Sequence, residues 1–440
     1  MKYLKRSIDK ELIIWKEEDS RKPLLLRGAR QVGKSSVVRN FGQMFAHYLE
    51  VNFESEPEVK VFFQGNLNPQ VICEKLSVYY NVPIVPGKTL LFFDEIQGCK
   101  EAIASLRFFY ERYPELHLIA AGSLLEFAIA EIPSFAVGRI RSIFLYPMSF
   151  NEFLSAMNQE GLIKLKQQAN FSNPIDPVFH QRLNELLRKF LILGGMPEVV
   201  STYLRTSDML KCMRVLDDLR LSFRDDFAKY KPSVPPHRIR EVFDSAAEQA
   251  GNRFVYAKVG KDNNYRQVKE AVNLLIMAGL IIPVYKSTAN GVPIGAGVNS
   301  SIFKLLVLDT GLFQRMAQLN IAQLLVEEDS NLSNKGAIAE QFAALEILKS
   351  SSPYLQETLY FWQREAKNSN AEVDFLLSHK GEIIPLEIKS GTKGSMRSLL
   401  LFLEEKGSSY GLRSSMENFS TYQNVKVCPL YALGDFIGHL

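Results

Sequence analysis

The sequence predicts a multidomain α/β protein, and three features carry that prediction. Five short segments in the first third of the chain are apolar on both faces, as strands buried in a parallel sheet are. The first of them runs directly into GARQVGKS, a glycine-rich turn that opens a helix. After a long helical stretch, an apolar hairpin, EVDFLLSHKGEIIPLEIKS, carries two acids and a lysine at regular spacing. The 440 residues are enough for two to three domains, each with its own core.

Taken in order, the strands are PLLLRG (23–28), YLEVNF (48–53), TLLFFDE (89–95), LHLIAAGS (116–123) and RSIFLYP (141–147). Helices such as SFNEFL and RLNELLRKFLILGG follow, the second stopped by Gly194 and Gly195. Residues 236–330 read as a winged helix-turn-helix: helices at RIREVFDSAAEQA and YRQVKEAVNLLIMAG flank a short one near VYAKVG, and the strands IIPVY and IFKLLVL close it. Arg266 and Lys269 would face a groove if that element reads DNA. Residues 238–270 hold seven basic and five acidic side chains, which is no basic stripe, so packing against the rest of the protein is the favoured use. A polar stretch, VEEDSNLSNK (326–335), reads as a linker before a final helix, strand, strand, helix pattern.

Composition excludes several classes. With 46% hydrophobic and 23% charged residues and a net charge of +4, the chain is neither disordered nor a whole-surface polyanion binder, so any nucleic-acid contact must be local. The most apolar run, AVNLLIMAGLIIPVY, is shorter than the ~20 residues a membrane helix needs and is interrupted by Asn273, Gly279 and Pro283. No membrane association is expected, and the charged N-terminal stretch lacks a secretory pattern, which places the protein in the cytoplasm. Four scattered cysteines suggest neither a zinc site nor a disulfide frame.

GARQVGKS matches the phosphate-loop pattern in full, and each position has a physical task. Backbone amides of Gly28, Ala29, Arg30, Gln31, Val32, Gly33 and Ser36 can curl around a phosphate at a helix N-terminus; Lys34 reaches the terminal phosphates and Ser35 ligates Mg²⁺. LLFFDEIQ supplies the partner: Asp94, at the carboxyl end of a strand, holds Mg²⁺, and Glu95 orients the attacking water. Ser123 either positions that water or caps the helix LLEFAI. Arg139 either stabilises transition-state charge, in cis or across a subunit boundary of a homo-oligomer, or is an ordinary strand-edge arginine. ATP and Mg²⁺ are therefore the expected cofactors.

The order LRGARQVGKSSVV, LLFFDEIQ, LIAAGSLL, VGRIRSIFLYPMSFNEFL resembles the AAA+-type P-loop ATPases of bacteria and archaea. In that resemblance LGGMPEVV corresponds to an element near the adenine, which implies a base-packing role for Pro197 and Gly195. It implies an ATPase core at 1–150, a helical lid at 151–235, the winged helix at 236–330 and a C-terminal domain at 331–440. In the C-terminal hairpin, strand alternation puts Glu387 and Lys389 on one face, with Asp374 on the neighbouring strand. That set resembles the PD-(D/E)XK nucleases, restriction-endonuclease-like α/β domains. The resemblance implies that Asp374 and Glu387 hold Mg²⁺, that Lys389 acts on the metal-bound water, and that Glu340 on the preceding helix completes the site. Two functions follow as expectations. In the first, nucleotide state controls a nuclease-like domain acting on DNA or another nucleic acid; in the second, an ATP-driven switch or assembly protein uses that domain only to bind a partner.

Overall fold

The five apolar segments form one parallel sheet, because each is flanked by a helix that covers a face of it. The structure is a computed structural model that describes residues 3–130, 138–230, 234–260, 264–319, 334–365, 370–392 and 394–438. It divides into two units: Met1–Tyr146 with Met277–Gly279 and Ser352–Gln356, and the remainder. The first unit contains α1 (Ile8–Lys16), β1 (Leu24–Arg27), α2 (Lys34–Gly42), β2 (His47–Asn52), α3 (Pro69–Tyr80), β3 (Thr89–Asp94), α4 (Lys100–Arg112), β4 (His117–Ala121), α5 (Leu125–Ala130) and β5 (Arg141–Phe144).

The strand order is β2-β3-β4-β1-β5. Leu24 of β1 aligns with Ile119 on one side and Arg141 on the other. All six residues of β3 are buried, which is why that strand reads as a continuous apolar run. Its alternate side chains Leu91 and Phe93 join Leu49, Val51, Leu118 and residues of α3 and α4 in one core cluster, where Phe53, Phe63 and Phe93 meet edge to face. Each such fully buried phenylalanine contributes roughly 1.5–3 kcal/mol of transfer free energy. Helix α3 shows why these helices have defined ends: Asn68 accepts the Gln70 amide, Pro69 fills the first turn, and Asn81 closes the helix in the left-handed region.

The second unit opens with α6 (Phe150–Ala156), whose start is fixed by a reciprocal pair of bonds between Ser149 and Glu152. Then come α7 (Glu160–Gln168), α8 (Pro177–Leu193), α9 (Pro197–Thr206), α10 (Met209–Asp226), α11 (Pro236–Glu248), α12 (Tyr265–Met277, its last residue grouped with the first unit), β6 (Ile281–Ser287), β7 (Val298–Val307) and α13 (Thr310–Met316). After residues outside the description, which include 326–333 of the expected linker, the chain continues with α14 (Asn334–Ser350), β8 (Leu359–Gln363), β9 (Glu372–Val373), β10 (Phe375–His379) and β11 (Glu382–Ile388). It ends with α15 (Arg397–Lys406), β12 (Gly411–Ser415), β13 (Ser420–Tyr422), β14 (Val425–Pro429) and α16 (Leu433–Gly438).

Two sheets organise this unit, β10-β11-β12-β14-β13 and β7-β6-β8-β9. In the second, β6 pairs antiparallel with β7 and parallel with β8, so the sheet draws strands from both sides of residue 330. The β10/β11 hairpin turns through Lys380 and Gly381, both at positive φ, the two-residue geometry that matches strand twist. Trp362 is buried core, packed edge-on against Phe402. Among the described residues no helix is long and apolar enough to cross a membrane.

Candidate functional site

Between β1 and α2 the chain cannot take ordinary L-residue geometry throughout. Gly28 has φ of +142°, and a Cβ there would lie 2.1 Å from the Leu145 carbonyl oxygen; Gly33 stands at φ +97° and Gln31 at +67°. Ala29 and Val32 point into the core, and Arg6 donates to the Val32 carbonyl at 2.9 Å, which anchors the loop from below. Helix α2 begins at Gly33 with no side chain capping it, so the amides of its first turn, at Lys34, Ser35 and Ser36, are left for an anion. Arg30 lies with its guanidinium 3.8 Å from Glu54.

Lys34 is buried, and its ammonium donates to the Gly28 and Ala29 carbonyls at 2.8 Å each. Burial lowers its pKa to about 8 although Glu95 and Asp94 pull the other way. Ser35 Oγ donates to Asp94 Oδ2 at 2.9 Å, and the Asn52 amide approaches the same oxygen at 3.5 Å. The Ser35 hydroxyl and the Asp94 carboxylate are oxygen ligands, the chemistry that suits Mg²⁺, so these two residues fit that ion. Burial raises the Asp94 pKa, with the Ser35 bond opposing.

Glu95 occupies the left-handed region at φ +47°, an uncommon conformation for a glutamate. Its Oε2 accepts three bonds: from Gln97 Nε2 at 2.6 Å, and from Ser123 N and Oγ at 3.1 Å each. Burial pushes its pKa upward, but these bonds and the charge of Lys34 outweigh it and hold the carboxyl below the ordinary value. Ser123 thus spends its hydroxyl on Glu95. At Gly122, just before it, a Cβ would meet Gln97 Oε1 at 2.0 Å, so a side chain there would have to turn the Gln97 amide away. Arg139 donates to Glu111 of α4 at 3.0 Å, and Glu111 also receives Arg107.

A second cluster lies wholly within the second unit. Asp374 sits at the bend between β9 and β10 and accepts the Ile388 amide at 2.7 Å, which brings its carboxyl beside Glu387 of β11. Glu387 is paired with Lys389 through one oxygen, while its Oε2 is buried without a partner. Burial and the Asp374 charge raise its pKa to about 7. Glu340 of α14 is also raised to about 7 by burial and feels Asp374, although Lys304 opposes the shift. Lys304, from β7, is 1% exposed and contacts Glu340 at 2.8 Å and Glu372 at 2.6 Å. Among the described residues no three His, Cys, Asp or Glu side chains are arranged to hold a metal ion.

Pro197 opens α9 in the second unit, after the turn at Gly194 and Gly195. That turn is fixed by Asp309, whose buried carboxylate accepts the Gly195 amide at 2.6 Å and caps α13 through Leu312.

Residues 20–154 match the AAA domain family. Over that stretch the chain has a P-loop NTPase fold. Beyond the AAA domain, residues 184–323 and 335–433 match two families described as domains of unknown function, DUF8612 and DUF4143. No curated protein matches the chain. Among solved structures it is similar to the Orc1 protein of Aeropyrum pernix in complex with DNA, at 13% identity over 72% of this chain and 90% of that one, with a TM-score of 0.30.

Within the AAA domain the motifs give no role to Gln97, the last residue of LLFFDEIQ, or to Asn52, which bond Glu95 and Asp94. Gln97 was visible two residues beyond the acidic pair; Asn52 ends a strand and carries no motif. In the second cluster the overlooked residues are Lys304 and Glu372. A lysine inside the apolar run IFKLLVL was the available signal for the first, and the same-face spacing of Glu372 and Asp374 for the second.

Proposed function

We propose that the protein hydrolyses ATP with Mg²⁺ at the AAA domain and that its nucleotide state controls the C-terminal nuclease-like region. The observation that carries the first half is the grouping of Lys34, the Ser35–Asp94 pair and the Glu95–Ser123–Gln97 triplet at one end of the parallel sheet. Lys34 would leave its loop carbonyls for the terminal phosphates, and the amides after Gly33 would hold the anion. Ser35 and Asp94 would hold Mg²⁺, which screens the phosphate charge when bound. Glu95, kept ionised by its donors, would accept a proton from the attacking water, and Ser123 would hold that carboxylate in place. Arg139 as a charge stabiliser across a homo-oligomer boundary and Pro197 as a base contact belong to the same proposal.

In the second unit, Asp374 and Glu387 would hold Mg²⁺, and Lys389 with Glu340 would complete a phosphodiester-cleaving site on DNA or another nucleic acid. The helices α11 and α12 with the β6/β7 hairpin serve as its winged-helix neighbour, and the protein acts in the cytoplasm. One observation favours a second reading: with Lys304 paired to Glu340 and Glu372, the cluster already has an internal cation. On that reading the protein is an ATP-driven switch and the C-terminal region binds a partner without cutting.

Cleavage of supercoiled plasmid and single-stranded DNA with Mg²⁺ or Mn²⁺, with and without ATP, separates the two. ATP-sensitive cutting by the wild type, lost in Lys389→Ala, is the expected result. No cutting under any condition, with ATP turnover intact, would leave the switch.

A further inference from the structure

The carboxylates of the second unit converge on a lysine that comes from none of the elements carrying them. Lys304 enters from β7, reaching Glu340 on α14 at 2.8 Å and Glu372 on β9 at 2.6 Å, and it is 1% exposed. Glu340 is 9% and Glu387 6% exposed, whereas the Glu372 and Lys389 side chains are 27% and 28% exposed, so the cluster is buried on one side and reached by water on the other. A buried lysine is stable there only because two carboxylates compensate the loss of hydration. The positions of the charges are uneven, however. Lys304 sits against Glu340 and Glu372, Lys389 sits against one oxygen of Glu387, and Glu387 Oε2 is buried with no hydrogen-bond partner. Four acids therefore face two lysines, and one carboxylate oxygen is aimed into the cluster unsatisfied.

We infer that Lys304 is an internal cation occupying the place of a divalent metal, so that the cluster takes Mg²⁺ or Mn²⁺ only when the β7 strand carries Lys304 away. The inference rests on the metal-holding role proposed above for Asp374 and Glu387. Three features of the strand fit a removable element. The β6/β7 hairpin is irregular where it matters: its register shifts between Tyr285 and Lys286, beside Lys304's partner Val284. Among the described residues the other edge of Lys304 meets no named strand, only the bridge to Arg253, beside which the Phe254 amide donates to the Phe303 carbonyl at 2.8 Å. Finally, β7 lies at the edge of its sheet, paired to β6 on one side, so a shift about the Val307–Gln341 bonds that hold its far end would leave β8 and β9 paired. The ammonium holds Glu340 and Glu372 and places its charge beside Asp374, so while Lys304 stays its charge opposes an ion on Asp374 and Glu387.

The test titrates the nucleotide-free full chain with MnCl₂ and reads free Mn²⁺ by electron paramagnetic resonance, for the wild type, Lys304→Met, and Lys304→Met combined with Glu387→Gln. Methionine keeps the apolar stem and removes the charge. The expected result is one Mn²⁺ site in Lys304→Met, tighter than in the wild type by on the order of tenfold or more, as loss of a neighbouring unit charge requires, and absent in the double variant. Equal affinity in the wild type and Lys304→Met, at a site that Glu387→Gln removes, would overturn the role of Lys304 and leave the metal site standing. A folded Lys304→Met protein with no site would overturn both. Should Lys304→Met fail to fold, Lys304→Gln, which keeps donors for Glu340 and Glu372, replaces it with the same outcomes.

Discussion

Gly28→Ala tests whether the phosphate loop is held as tightly as its geometry demands. The new Cβ would lie 2.1 Å from the Leu145 carbonyl oxygen and 3.2 Å from its carbon, so one of the two must retreat by about 0.9 Å to reach even the 3.0 Å limit. Leu145 cannot yield freely, because its amide donates to the Arg27 carbonyl at 2.8 Å and its side chain is buried. The backbone adds to the difficulty, since φ of +142° costs an alanine about 1–3 kcal/mol. The loop therefore moves by close to an ångström at the point where it turns around the phosphate, and a displacement of that size costs on the order of 100-fold in turnover. ATP turnover and thermal unfolding are measured together, with Gly87→Ala as the control. Gly87 also has positive φ, +73°, but nothing lies within 4 Å of its missing Cβ, so only the conformational term applies. Gly28→Ala turning over within about threefold of the wild type, with an unchanged melting temperature, would refute the reasoning.

Two further outcomes are expected. Glu95→Gln should keep nucleotide affinity, because the phosphate contacts come from the loop and Lys34, but lower turnover by roughly 10²–10⁴-fold as a general base does; loss of binding with turnover would assign Glu95 to the nucleotide instead. His117, packed edge-on against Trp15 and Phe45 and donating from Nε2 to the Lys16 carbonyl, has its pKa lowered to about 4 by burial. Its folded value lies below the unfolded ~6.5, so its contribution is complete above about pH 6.5 and is lost as pH falls toward 4. Melting temperatures across that window should drop less steeply in His117→Phe; an unchanged slope would remove His117 as the cause.

The AAA domain was legible in the sequence because its signals are local. GARQVGKS is one unbroken run at a strand-helix junction, and Asp94 and Glu95 close a strand whose both-face burial makes it apolar throughout. What could not be read is where distant segments meet. Ser123 reaches Glu95 across 28 positions, and nothing in AAGS distinguishes that contact from a helix cap. Lys304 and Glu340 stand 36 positions apart on a strand and a helix, and a lysine in an apolar run gives no hint of which acid it will meet. Asp374 is a further case: alternation alone would put it within a strand, whereas it occupies the bend between β9 and β10 and turns its carboxylate onto the Ile388 amide. Asp309, in LDTGLF, holds the Gly194–Gly195 turn from 114 residues away, a pairing set by tertiary packing alone.

The central claim is hydrolysis at the phosphate loop, and phosphate release from ATP with Mg²⁺, compared between the wild type and Lys34→Ala, tests it most directly. Lys34 is the loop's own cation, and its ammonium is spaced to exchange two backbone carbonyls for phosphate oxygens. The account predicts steady Mg²⁺-dependent release by the wild type and none above background from a folded Lys34→Ala protein. Equal release by both would place the chemistry elsewhere and contradict it.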